Sequence, residues 1–180
     1  MMSRFVALLR GVNVSGKNQL AMSDLKDACA ALGFTQVKTW LNSGNAVFSS
    51  EKDDPLGMAG ALRAELSVRC ALDVPVLILP QEQLRDTLAQ APAWWGTDDK
   101  SVYDNLILLL PPLDWPKLRE SLGEPTAGLE RAEPCGCTVF WSFDRQRYQK
   151  ARWWSATANA PVRDFITIRT AGTMRKLVLL

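Results

Sequence analysis

Residues 4–22 read RFVALLRGVNVSGKNQLAM, and the rest of the chain is laid out around this stretch. Phe5, Ala7 and Leu9 fall on one face and Val6 and Leu8 on the other, so a strand here is covered on both sides. The strand feeds a polar loop, residues 11–21, and the loop ends at a helix. Met22, Leu25, Cys29 and Leu32 recur at helical spacing until Gly33 stops them. Residues 35–40 and 46–49 form two strands about the turn Asn42-Ser43-Gly44-Asn45, a hairpin signal. Asp54-Pro55 starts a second helix, with Leu56, Ala59, Leu62, Leu66 and Cys70 on its buried face. Residues 74–79 are the next strand. The order is βαββαβ, the ferredoxin-like pattern.

A connecting helix is expected over 80–92, with Leu84, Leu88 and Ala91 inward, followed by a polar loop over 94–104. The pattern then starts again. Residues 105–110 are an apolar strand, and Asp114 caps a helix through Trp115, Leu118 and Leu122 that ends at Gly123. Residues 44–50, GNAVFSS, correspond to residues 136–142, GCTVFWS, at similar distances after Gly33 and Gly123. An internal duplication follows, with a helix over 146–158, a strand over 162–168 and a terminal helix over 173–180. The expected fold is α+β, two ferredoxin-like subdomains: 1–80 with the loop 11–21, a connection over 81–104, and 105–180.

The loop is the candidate site. Arg10, Gly11, Asn13, Gly16, Lys17 and Asn18 combine glycines, which turn the backbone and expose N–H groups, with side chains that donate and carry no negative charge. A strand, such a loop and then a helix is a common way to hold an anion. Gly11, Gly16 and Lys17 approach P-loop spacing, but Asn18 stands where Ser or Thr would reach magnesium. The helix also begins too late to cradle phosphates, so the P-loop reading is set aside. The second half has only Pro111-Pro112-Leu113 at the equivalent place, so the loop is an insertion that the fold does not require. In a ferredoxin-like sheet the first and third strands are antiparallel neighbours. Arg10 and Gly11 are therefore expected beside Ser43, Gly44 and Asn45.

The run ALLRGVNVSGKNQLAMSDLKDACAALGFTQVKTWLNSGNAVF, residues 7–48, resembles the N-terminal signature of the domain-of-unknown-function family 1697. Thr167-Ile168-Arg169 resembles that family's TIRN segment, although Thr170, Ala171 and Gly172 stand where Asn, Trp and Asn are expected. The resemblance implies two ferredoxin-like subdomains and no particular activity. It marks Arg10, Gly11, Asn13, Gly16, Lys17, Ser43, Gly44, Asn45 and Arg169 as signature positions.

Composition bounds the chemistry. The chain has 180 residues, 47% of them apolar and 22% charged, with a net charge of +2 that gives no global nucleic-acid signature. No apolar run approaches the roughly 20 residues of a membrane span, and the start lacks a secretory pattern. Four cysteines, at 29, 70, 135 and 137, make no disulfide framework in a chain of this length, which points to a reducing cytoplasm. There is no histidine, which removes Ser-His-Asp and Cys-His catalysis, His-ligated zinc and the usual neutral-pH base. No cofactor or metal is expected: Cys135-Gly136-Cys137 lacks a second ligand pair, and Asp53-Asp54 and Asp98-Asp99 read as turns and caps. The oligomeric state is not legible.

Three functions are compatible with this reading. The first is binding of a small anionic ligand, with charge from Arg10 and Lys17, orientation by Asn13, Ser43 and Asn45, and backbone approach at Gly11, Gly16 and Gly44. The second is nucleic-acid binding through the segment from residue 145 onward, which has eight basic residues and one acid. There Tyr148, Ala151, Trp154 and Ala158 would face inward, leaving Trp153 exposed near Arg147, Lys150 and Arg152 as a stacking surface. The third is an enzyme without histidine acting on a phosphorylated metabolite. Trp94-Trp95 reads as an anchor for the connecting loop.

Overall fold

β1 (Ser3–Leu9) occupies an inner position in its sheet, as its two apolar faces require. The computed structural model describes residues 2–180. After β1 come α1 (Met22–Ala31), β2 (Thr35–Thr39), β3 (Asn45–Ser50), α2 (Pro55–Cys70), β4 (Val76–Pro80) and α3 (Gln81–Ala89). The strands form an antiparallel sheet in the order β2-β3-β1-β4. Phe5, Ala7, Leu9 and Phe48 form a core with Leu25, Ala28 and Cys29 of α1 and Met58, Leu62 and Leu66 of α2. Phe34 stacks on Phe48 with ring centroids 4.2 Å apart.

The second sheet uses the same order of elements: β5 (Val102–Leu109), α4 (Trp115–Leu122), β6 (Glu130–Cys135), β7 (Thr138–Asp144), α5 (Arg152–Asn159) and β8 (Ile166–Thr170), followed by α6 (Ala171–Leu177). Its strand order, β6-β7-β5-β8, repeats the first. Ile107, Leu109, Val139 and Trp141 pack with Leu118 and Leu122 of α4 and with Trp153 of α5. Val6, Leu8 and Val47 in the first sheet, and Leu106, Leu108 and Phe140 in the second, alternate to the opposite sheet face and are buried too. The protein is thus mixed α+β, with two four-stranded antiparallel sheets and six α-helices among the described residues.

The chain divides into two units, Met1–Asp86 with Lys176–Leu180, and Thr87–Arg175. Residues 176–180 return to the first unit through named contacts. Gln81 donates to the Leu177 carbonyl (2.8 Å), Arg4 and Lys38 donate to the Leu180 carbonyl (2.9 and 3.1 Å), and Lys176 lies over the Trp40 ring. Among the described residues, no helix is long and apolar enough to cross a membrane.

Both expected caps are present: Asp54 accepts from the Gly57 N–H and Asp114 from the Lys117 N–H, each at 3.0 Å. Four expectations need correction. Leu56, placed on the buried face of α2, is 75% exposed; it sits in the first turn, and burial begins with Met58. The helix over 146–158 is instead a 3-10 turn at Tyr148–Lys150, an extended Ala151, and α5. The strand over 162–168 starts at Ile166, because Pro161 opens a 3-10 turn through Phe165. The last helix begins at Ala171, where Thr170 Oγ1 accepts from the Thr173 N–H (3.3 Å), so the signature departure at Thr170 supplies a cap.

Candidate functional site

The sheet register brings the two polar motifs together. Leu8 pairs with Asn45, the Leu9 N–H donates to the Gly44 carbonyl (2.8 Å), and the Arg10 N–H donates to the Pro75 carbonyl (2.9 Å). Gly44 is required here. It has φ +74°, and a Cβ would lie 2.6 Å from Val12 Cγ2 and 2.7 Å from Leu9 Cβ.

The loop itself is a miniature hairpin. Ser15 (φ 49°) and Gly16 (φ 75°) occupy the centre of a two-residue turn closed by the Lys17 N–H on the Val14 carbonyl (2.9 Å). Two consecutive left-handed residues give the tight turn that matches strand twist. The Asn13 N–H on the Asn18 carbonyl (3.0 Å) closes the next rung, and Asn18 Nδ2 donates to the Gly11 carbonyl (3.0 Å). This geometry explains why the loop does not act as a P-loop: it folds back on itself before α1 begins at Met22.

Asn13 is the clamp. Its Nδ2 donates to the carbonyls of Leu20 (2.9 Å) and Asn42 (2.6 Å), and its Oδ1 accepts from the Leu20 N–H (2.9 Å). One side chain therefore fixes both ends of the loop to the turn before β3. Asn45 is buried and donates to the Trp40 carbonyl (2.9 Å) and Ser43 Oγ (3.0 Å). The amides expected to orient a ligand hold the loop and turn in shape instead. Lys17 stays exposed and Arg10 is half-buried. Asn13, Gly16, Gln19, Leu20 and Ala21 line a hollow of about 360 Å³.

Arg169 belongs to the second unit, in β8. Its Nη1 donates to Thr167 Oγ1 and to the Ile168 carbonyl, both at 2.9 Å, and burial pushes its guanidinium down to about 10.

The basic segment is rearranged relative to expectation. Trp153 is fully buried, with its Nε1 on the Gly123 carbonyl (2.9 Å), whereas Trp154 is 45% exposed. The break at Ala151 resets the helical phase, so a wheel drawn from Tyr148 inverts the two tryptophans. Arg147 is paired with Asp144 at 2.7 Å. The stacking surface built on Trp153 with Arg147, Lys150 and Arg152 is therefore not formed. Trp95 is an anchor, its Nε1 donating to the Asn105 carbonyl (2.7 Å). Cys135 and Cys137 flank Gly136 in the β6–β7 turn and form no disulfide.

One concavity was not anticipated. In the second unit a cleft of about 910 Å³ opens between α5 and the sheet face that carries Trp141 and Phe143. The signal in the sequence was the density of aromatic residues over 141–154, but the wrong helical phase concealed which of them face the cleft.

Comparison with known proteins gives a fold and a family. A conserved bacterial protein from Streptococcus pneumoniae is similar at TM-score 0.84 and 26% identity, over 99% of this chain and 98% of that one. An unknown protein from Galdieria sulphuraria aligns over 94% of this chain and 98% of its own at 13% identity, and its TM-score of 0.29 carries no argument. No curated protein matches the chain. The family described as a protein of unknown function (DUF1697) matches residues 2–140, well over half of the 180. With its signature loop and turn clamped together by Asn13, the chain belongs to the DUF1697 family.

Proposed function

We propose that this protein binds a small anionic ligand, phosphate-bearing or carboxylate, at the edge where the loop 11–21 meets the turn 43–45. The observation that carries the reading is local charge on paired segments. β1 and β3 pair from Ser3 with Ser50 to Leu8 with Asn45, and residues 4–23 and 34–50, which contain this pair, hold no carboxylate. At the loop end stand two cations, the half-buried Arg10 and the exposed Lys17, which favour an anion there. Lys17 supplies the exposed charge. Ser15 and Gly16 are exposed at the hairpin turn, and their N–H groups make no hydrogen bond among the described residues. Asn13 and Asn45 contribute by pre-organising the edge, which lowers the ordering cost of binding.

Each unit is taken as a ferredoxin-like βαββαβ subdomain and the two as products of internal duplication, which the matching strand orders support. A cytoplasmic location is supported by four cysteines that form no disulfide among the described residues.

Thermal shift of the purified protein with inorganic phosphate, nucleotides, sugar phosphates and dicarboxylates tests the site. An anion at about 100 times its dissociation constant adds roughly 2.7 kcal/mol. For a chain of this size that is about 5–10 °C. Stabilisation of wild type and not of Lys17→Ala is the expected result. No shift with any of these anions, or an equal shift in Lys17→Ala, refutes the assignment.

A further inference from the structure

We propose that the second unit carries a separate binding site for an uncharged, planar aromatic molecule of two or three fused rings, seated in the cleft between α5 and the faces of β5, β7 and β8. The cleft exists because the two units cover their sheets unequally. α2 and α5 hold the same place in the element order, yet α2 has 16 residues and α5 only 8. The strands are no shorter in the second unit: β5 and β7 have 8 and 7 residues against 7 and 6 in β1 and β3. Part of the chain that would extend α5 is used in the turn and 3-10 segment before Ala151. A sheet of equal length under a helix of half the length leaves one end of its core face open.

The open end is walled by aromatic rings. Phe143 lies 4.7 Å from Trp141, 5.4 Å from Tyr103 and 5.4 Å from Trp154, and Trp154 meets Tyr148 edge-on at 5.0 Å. Tyr103 and Trp154 are 40% and 45% exposed; the Arg145 guanidinium lies over the Tyr103 ring, 4.0 Å from its centroid, and Trp154 leaves ring surface open. Offset and edge contacts between rings favour a flat aromatic guest over an aliphatic one of equal volume. The volume, about 910 Å³, suits a small organic molecule.

Charge narrows the class further. None of the residues lining the cleft is ionisable at neutral pH. A cationic guest would lose its hydration with no counter-charge in the lining to replace it, and the cation at the rim, Arg145, already lies over the Tyr103 ring. Polar groups are nonetheless present for a neutral heterocycle. Asn105 and Thr157 are buried in the lining, and Asn159 has its Nδ2 on the Ser155 carbonyl, which leaves its Oδ1 to accept from a guest.

Riboflavin and adenosine are neutral probes, and cyclohexanol is an aliphatic control. Equilibrium dialysis and tryptophan fluorescence of the full chain read the binding. Saturable one-to-one binding of at least one aromatic probe is expected, without competition from cyclohexanol. Trp154→Ala removes one wall and weakens binding about tenfold, the scale of one ring contact. Ala158→Trp fills the cleft from an exposed helix position and abolishes binding, with circular dichroism unchanged. Lys17→Ala leaves it unchanged, which separates this site from the anion site. Absence of saturable binding by both probes overturns the proposal. So does binding that survives Ala158→Trp, tighter binding of flavin mononucleotide than of riboflavin, or self-association of the free protein that Ala158→Trp abolishes.

Discussion

Asn13 combines two demands in one residue. Its φ of 54° lies in the left-handed region, which asparagine tolerates better than most side chains. Its amide also makes three hydrogen bonds, two that close the loop on Leu20 and one that joins it to Asn42 in the turn before β3. The two roles separate by substitution. Asn13→Gly keeps the backbone freedom and loses the bonds, at a cost of about 1–2 kcal/mol. Asn13→Ala loses both and costs roughly 1 kcal/mol more. Urea denaturation of both variants measures the difference; equal stability of the two would remove the backbone argument. A polar loop with asparagines at 13 and 18 was plain in the sequence. That these amides serve the protein's own carbonyls was not, because Asn42 is reached only through the β1–β3 pairing.

At the scale of elements, α5 shows how a buried carboxylate sets a helix in place. Glu130 of β6 is buried, and its carboxylate accepts from the Trp153 N–H (3.1 Å), the Thr126 N–H (2.9 Å) and Trp141 Nε1 (3.3 Å). Trp153 is the second residue of α5, so its N–H is one of the first-turn donors with no partner inside the helix. The negative group also lies at the favourable end of the helix dipole. Glu130→Ala leaves these donors unsatisfied and costs about 2–4 kcal/mol, with a change in the near-ultraviolet signal of Trp141 and Trp153. Glu130→Gln keeps an acceptor and loses less. An unaltered urea midpoint in Glu130→Ala would show that the carboxylate does not hold α5. The apolar spacing over 148–158 suggested one continuous helix, and only the break at Ala151 determines that Trp153 enters the core while Trp154 borders the cleft.

For the whole molecule, the ionisable groups predict a flat stability plateau with two limbs. Asp73 is held below the usual carboxylate range by its hydrogen bond to Arg63, Asp99 by Ser101, Asp114 by the Lys117 N–H and Asp144 by Arg147. Their folded pKa values are depressed, so their contribution is full above the unfolded value of about 3.9 and drains as pH falls below it. All four are on the surface, so the acid limb is shallow. Cys29 behaves oppositely. Burial pushes its thiol up to about 12, whereas in the unfolded chain it ionises near 8.5. The neutral buried thiol is therefore compatible with folding below that range, and stability falls as pH rises from it toward 12. Urea midpoints from pH 2 to 11 are expected to be level between about pH 5 and 8. Cys29→Ala is expected to make the alkaline limb shallower; a limb of unchanged slope would mean that other groups dominate it.

Much of the architecture was legible because it is written locally. The period-two apolar run of β1, the caps at Asp54 and Asp114, and the glycine-led strands at 44 and 136 depend on residues close in sequence. From them the element order and the likeness of the two sheets follow. The adjacency of the loop and the Gly44 turn was also readable, since it needs only the strand order. Three things were decided by the tertiary structure. Asn13 meets the Asn42 carbonyl, which lies far along the chain and is brought near by the β1–β3 pairing. The phase of α5 depends on Glu130 receiving its first turn from another strand. The aromatic cleft arises from a mismatch in length between α5 and the sheet beneath it. Each depends on groups distant in sequence meeting in space, so periodicity and composition could not specify it.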